Sequence, residues 1–265
     1  MREAGLPLEG ELLALACASH SGEPFHIEAV RRILASAGVS EEELQTPADY
    51  PLDDEAREQV IRSGGSKAPV LMNCSGKHAA MLATCVVNEW PRDSYLEVDH
   101  PLQQAIAATF ARMTGEPIAH VAVDGCGAPL LATSLTGLAR AFSRLATATD
   151  GAPHAIAEAI RAHPEYVSGT HRDELMLLRA IPGAIGKAGA ESCYVIALPD
   201  GRAFATKTDD GAVRARPVLM AALLEEFGVT AEPGVDGAAV RRTGESPLLG
   251  GGVTVGSVRA VLAPV

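Results

Sequence analysis

The run Ser192 to Leu198, the turn Pro199-Asp200-Gly201 and the run Arg202 to Thr208 constrain the fold most. Alternating β-sequence on both sides of a tight turn predicts an antiparallel hairpin, and such a hairpin fixes its own register. Cys193 and Lys207 are symmetric about Asp200, so they oppose each other directly, or nearly so, on one sheet face. A lysine opposite a cysteine in an apolar strand pairs with a carboxylate or serves as a base of depressed pKa. The commoner case is a lysine on a solvated face.

Around the hairpin the sequence has helical periodicity. Helices are expected over Leu8 to Cys17, Ile27 to Ser36, a short segment with Ser40 and Glu43 in capping-box spacing, and a segment capped by Asp53 or Asp54 through Ile61. Met1 to Gly5 reads as the end of a helix closed by Gly5. Ala68 to Met72 is a short strand or extended entry, followed by a helix through about Asn88. Asp99 is expected as the N-cap of the next helix, with Pro101 in its first turn. Ile118 to Val123 reads as a buried strand. Further helices are expected near Leu135 to Leu145, Ala155 to Arg161, Arg172 to Ala180 and Pro217 to Phe227, with a last strand from Val253 to Leu262. With no internal repeat or low-complexity linker, residues 1–265 read as a single α/β domain.

Hydrophobic residues at 47% and charged ones at 21% are those of an ordinary globular chain. A net charge of -11 argues against nucleic acid or an anionic membrane as partner, because phosphate binding needs a basic stripe. No apolar run approaches the roughly 18–20 residues that span a bilayer. Five cysteines (Cys17, Cys74, Cys85, Cys126, Cys193), odd in number and widely spaced, favour a reducing compartment, the cytoplasm by default. Cys17 and Cys85 fall on apolar helical faces and read as core.

The chemistry concentrates in Asn73-Cys74-Ser75-Gly76-Lys77-His78. If a helix starts at or just after Cys74, that residue and Lys77 lie one turn apart on one face. At a helix N-terminus the macrodipole favours thiolate over thiol and neutral amine over ammonium, two forms that bind metal. Cys126, flanked by glycines in Asp124-Gly125-Cys126-Gly127-Ala128-Pro129, is the obvious third partner, and two thiolates with a nitrogen suit zinc. The bland alternative is packed or merely reactive thiols. Ser19-His20-Ser21 taken alone is a polar turn after a helix. A serine becomes a nucleophile only beside a base, and neutral Lys207 could be that base for Ser19 if the fold brings them together. His78 either orients a ligand or occupies the helix's first turn, and His100 before Pro101 is a capping-region side chain.

Four ordered motifs, Ala18-Ser19-His20-Ser21-Gly22-Glu23, Asn73 to His78, Asp124 to Pro129 and the Cys193 to Lys207 hairpin, resemble the asparaginase II family, the Rhizobium-type L-asparaginases. The resemblance implies a serine β-lactamase/glutaminase-like fold, a mostly antiparallel sheet with helices packed around it, usually in a homodimer. It implies hydrolysis of L-asparagine to L-aspartate and ammonia by serine-lysine chemistry beside one zinc per chain. On that resemblance Cys74, Lys77 and Cys126 are the metal ligands, Ser19 and Lys207 are catalytic, and Cys193, Asp124 and His78 contact substrate. The family's other serine-lysine pair is a Ser-x-x-Lys motif near the start, which these 265 residues lack. The expectation is therefore an N-terminally shortened chain, or a zinc- and amino-acid-binding remnant without turnover. A cysteine hydrolase using Cys74 and His78 is a third reading, which would leave the thiol of Cys126 idle.

Overall fold

Helix-forming stretches occupy the first part of the chain because apolar residues recur every three to four positions between polar turns. The computed structural model, which describes residues 1–263, forms α1 (Gly10–Ala16), α2 (Pro24–Ser36), α3 (Asp54–Arg62), α4 (Ser75–Val87) and α5 (Pro101–Thr114). Then come β1 (His120–Val123), β2 (Pro129–Ala132), α6 (Leu135–Ala146), α7 (Gly151–Ala162), α8 (Pro164–Val167) and α9 (Asp173–Ala180). Strands β3 (Ile185–Ala188), β4 (Cys193–Ala197) and β5 (Ala203–Lys207) follow, and α10 (Arg216–Glu226), α11 (Gly237–Thr243), β6 (Pro247–Gly250) and β7 (Val253–Ser257) complete the order.

The hairpin forms with the expected register, Cys193 opposite Lys207 and Val195 opposite Ala205. It gains a third antiparallel strand, β3, in which Lys187 opposes Val195. Because side chains alternate across a sheet, Lys187, Cys193, Val195, Ala205 and Lys207 share one face, and Tyr194 and Thr206 take the other. Helix α10 packs behind Tyr194 and Phe204, with the Arg216 guanidinium 5.3 Å from the Tyr194 ring centre and Phe227 5.5 Å from Phe204.

The chain is α/β with antiparallel sheets and helices around them, as expected, but the strands among the described residues form three separate small sheets. Strand β3 lies in a Gly-rich segment that carries no alternation, and β6 pairs with β7 to make another hairpin. Residues 120–123 form a strand, but an exposed one with Val123 at 74% exposure, because α5 packs against its partner β2 and leaves β1 on the outside. Pro69–Leu71 is a 3-10 turn in place of an extended entry. The N-cap of α5 is His100, whose Nδ1 accepts from Leu102 N at 3.1 Å, and Asp99 stands one residue outside. Arg2–Ala4 is a single 3-10 turn, closed by Gly5 in the left-handed conformation. No described helix is long and apolar enough to cross a membrane.

One apolar cluster joins α1, α2 and α4 to the β3–β5 sheet through Leu15, Ile33, Leu82, Ile185 and Ile196. Helix α4 sits so close to α1 that a Cβ on Gly76 would lie 2.7 Å from Leu15 Cγ. That contact brings the α4 N-terminus beside the loop that leaves α1.

Candidate active site

Helix α1 ends at Ala16, and Pro24 starts α2, so residues 17–23 are a short coil between two packed helices. Burial decides what this coil does with its polar groups, since each enclosed polar atom needs a partner. His20 is fully buried; its Nδ1 accepts from Gly22 N at 3.1 Å, which puts the proton on Nε2, 3.0 Å from Ser75 Oγ at the start of α4. Burial, then the neighbouring His26 and Arg172, depress the His20 pKa far below the histidine range.

A second segment, 168–172 between α8 and α9, straps the coil from the other side. Ser21 N and Oγ both donate to Ser168 O (2.7 and 2.9 Å). Thr170 N and Oγ1 donate to the two oxygens of Glu23 (2.8 and 2.6 Å), and Arg172 Nη1 donates to Ser19 O at 2.8 Å. Gly169, at φ +147, has no room for a side chain: a Cβ there would lie 2.2 Å from Ser21 Oγ.

This clamped coil presents Ser19 to the β3–β5 face. Lys187 Nζ reaches Ser19 Oγ at 2.8 Å. Burial of the amine lowers the Lys187 pKa against the pull of the Cys74 thiolate, and Lys77 and Arg172 add to the lowering. Arg172 is locked by Glu174, buried with 1% exposure, through contacts of 2.6 and 3.2 Å. Glu174 also faces Arg216, whose Nη2 pairs with Asp173.

The thiol cluster is adjacent. Side-chain donor atoms of Cys74, Asp124 and Cys126 lie within 4.8 Å of one another. Lys77 Nζ is 3.3 Å from Cys126 Sγ and 3.6 Å from Asp124 Oδ2, and Cys126 Sγ lies 3.0 Å from Asp124 Oδ2. The two sulfurs divide one ionisation between them. The hydrogen bond to Cys126 lowers Cys74 to about 6, and the same contact, with burial, raises Cys126 to about 12.

The expectation of a neutral amine at the helix N-terminus does not hold for this set: burial works against the Lys77 ammonium, but Cys74, Cys126 and Asp124 together raise its pKa. The Cys74 thiolate and the Asp124 carboxylate outweigh a half-charge of helix dipole.

His78 is fully buried; its Nδ1 meets Tyr95 OH at 2.7 Å, and its Nε2 has no hydrogen-bond partner. Tyr95 OH also accepts from Gln45 N at 3.1 Å, which fixes the phenol beside the ring. The ring also favours the Cys126 thiolate.

The structure therefore brings Cys74, Lys77 and Cys126 together and adds Asp124, expected at the substrate, to their circle. Two thiols, a carboxylate and an amine form a donor set that suits zinc. Ser19 and Lys207, by contrast, are not partners. Lys207 Nζ donates to Thr208 O at 2.6 Å and lies 3.9 Å from Glu191 Oε2, because its strand ends at the exposed margin of the sheet. Cys193 is half-buried on the shared face, under the influence of both Lys187 and Lys207. Sequence reasoning missed Lys187, Arg172, Glu174 and Thr170. One signal was present for Lys187, a solitary cation in the apolar, Gly-rich run Ile181 to Gly189.

A lysine-to-serine contact beside a potential metal cluster, on an α/β frame of helices and antiparallel sheets, defines a hydrolase-type arrangement. The chain belongs to the L-asparaginase II family, whose model matches residues 1–260. Membership supports a hydrolase-type function on an amino-acid substrate. No curated protein matches this sequence.

Proposed function

We propose that the protein is an L-asparaginase of the Rhizobium type, which hydrolyses the side-chain amide of L-asparagine to L-aspartate and ammonia with Ser19 as nucleophile. The observation that carries this is Ser19 Oγ with a lysine amine at 2.8 Å, in a chain of the L-asparaginase II family. A serine hydroxyl is a weak nucleophile until a neighbouring base can take its proton. Attack by Oγ on the amide carbon gives a β-aspartyl ester and releases ammonia; water then cleaves the ester.

Cys74 and Cys126 would hold a zinc ion, with Lys77 and Asp124 placed to complete the set. When bound, the ion supplies a fixed positive charge that polarises an oxygen beside it. Lys77 would give up its proton to become a ligand, so metal uptake is expected to release protons. His78, buried against Tyr95 and Cys126, would orient this cluster, and Cys193 would line the substrate's side of the sheet. A homodimer in the cytoplasm completes the reading, supported by exposed apolar side chains on β7 such as Val253 and Val255 at 67% and 72%.

The test is ammonia release from L-asparagine, with L-glutamine as comparison. Ser19→Ala is expected to lower turnover by at least ~10³-fold. Zinc and aspartate binding with no turnover in the unmodified protein would instead establish a binding remnant of the family.

A further inference from the structure

We propose that His20 is a positioning residue for the hydrolysis: its buried Nε2–H, held by Ser75 Oγ at the first residue of α4, fixes where Ser19 stands relative to the Cys74 and Cys126 cluster. The inference deepens the amide hydrolysis proposed above and rests on it.

Three parts of the fold that line the site hold the coil 17–23. The β3–β5 sheet meets it at Ser19 Oγ, through Lys187 Nζ at 2.8 Å. The 168–172 strap meets it at Ser19 O, Ser21 and Glu23. Helix α4, which begins right after Cys74 and carries Lys77, meets it through one hydrogen bond among the described residues, His20 Nε2 to Ser75 Oγ at 3.0 Å. That bond joins the residue after the serine to the residue after the first thiol of the cluster.

The surroundings hold this bond in place. Both side chains have no exposure, so water does not compete for either partner. Nδ1 accepts from Gly22 N at 3.1 Å, which leaves the proton on Nε2 as a donor. Burial keeps the ring neutral, and the His26 ring stacks on it with centres 5.1 Å apart and planes 19° from parallel. Turning the imidazole would break two hydrogen bonds and the stack together. A histidine that served the turn alone would need only the Nδ1 contact to Gly22. This one spends its other nitrogen on an element 55 positions away.

Reactivity depends on that placement. A nucleophile displaced by about 1 Å loses on the order of 10²-fold in rate. Without the His20 to Ser75 bond the coil keeps its ties to sheet and strap, and the one to α4 is gone. Ser19 is then no longer set against the helix start that presents Cys74 and Lys77.

Substitution separates the two ring nitrogens. In His20→Gln the side-chain amide nitrogen falls where Nε2 stands, and in His20→Asn the amide oxygen falls where Nδ1 stands. Glutamine therefore keeps the bond to Ser75, and asparagine keeps the bond to Gly22. The readout is the rate at which a fluorophosphonate labels Ser19 in the whole chain, followed by mass spectrometry at one saturating zinc concentration, with far-ultraviolet circular dichroism as the check on folding. His20→Asn and Ser75→Ala are each expected to slow labelling by at least ~10-fold. His20→Gln is expected to retain it, and His20→Asn combined with Ser75→Ala to be no slower than either alone. The reverse order, with labelling kept in His20→Asn and slowed in His20→Gln, makes His20 a turn residue and overturns the proposal. Unchanged labelling in Ser75→Ala overturns it too. Should one His20 variant not fold, Ser75→Ala set against the other carries the same comparison. The readout needs no asparagine: a protein that behaves as expected and releases no ammonia from asparagine keeps the role of His20 and loses the substrate assignment. Absence of labelling in the unmodified protein overturns both this role and Ser19 as nucleophile.

Discussion

At the scale of single residues, burial sets the chemistry of this protein more than helix dipoles do. His20 and His26 have no exposure, and burial holds His26 at about 4 against its ordinary 6.5, with His20 also far down. Below the ordinary value the unfolded chain takes up protons that the folded protein refuses. The stabilisation from neutral His26 is therefore complete above pH 6.5 and is lost as pH falls toward 4. Between pH 7 and pH 5 that loss is about 2 kcal/mol for His26 alone. Urea midpoints at the two pH values should show it, and His26→Gln should shrink the difference. The thiol pair has its own signature. In metal-stripped protein, thiolate absorbance near 240 nm should rise through about pH 6 as Cys74 ionises, while Cys126 stays protonated until about pH 12. Cys74→Ser should remove the lower step. Two independent thiols titrating together near their ordinary value would show that the hydrogen bond between them does not form in solution.

At the scale of elements, the loop carrying Ser19 is held by two contacts that tolerate no added side chain. Gly76→Ala would push α4 away from Leu15 and cost about 1–3 kcal/mol, measurable as a lower urea midpoint, with weaker zinc uptake because Cys74 moves with α4. Gly169→Ala would strain the strap over Ser21, and fluorophosphonate labelling of Ser19 should slow even where folding survives.

The elements themselves were largely legible. The α1, α2, α4 and α6 helices follow apolar periodicity, and the symmetry of the hairpin about Asp200 gave the Cys193 to Lys207 register. Strand β3 was not legible, because glycine and alanine between Ile185 and Ala188 carry no alternation and the strand exists only by pairing with β4. That one omission hid Lys187 and left Lys207 as the apparent partner of Ser19. The thiol cluster was only half legible: Cys74 and Lys77 share one helical turn, but spacing alone left packed thiols as the commoner reading, and the resemblance was needed to join Cys126 to them. The buried Arg172, Glu174 and Arg216 network could not be read, since its charges look like solvated surface residues until α9 and α10 pack together.

At the scale of the whole molecule, apolar side chains remain uncovered on both outlying hairpins. Val123, Leu249, Val253 and Val255 are all more than half exposed, and exposed apolar surface favours association. Val253→Glu with Val255→Glu should lower the sedimentation coefficient toward that of a monomer if β6–β7 lies in the dimer contact; an unchanged value would place that contact elsewhere. The strap over Ser19 also has a consequence in time. Ser21 and Ser168 are 147 positions apart, and Ser19 and Lys187 are 168 apart, so the nucleophile's surroundings come from distant parts of the chain. Local helices close on microsecond scales, whereas contacts across such long loops come late in folding. During refolding, helical ellipticity should return before Ser19 regains its reactivity. A chain still emerging from the ribosome would carry helices α1 to α9 around a serine that is chemically silent until β3 arrives.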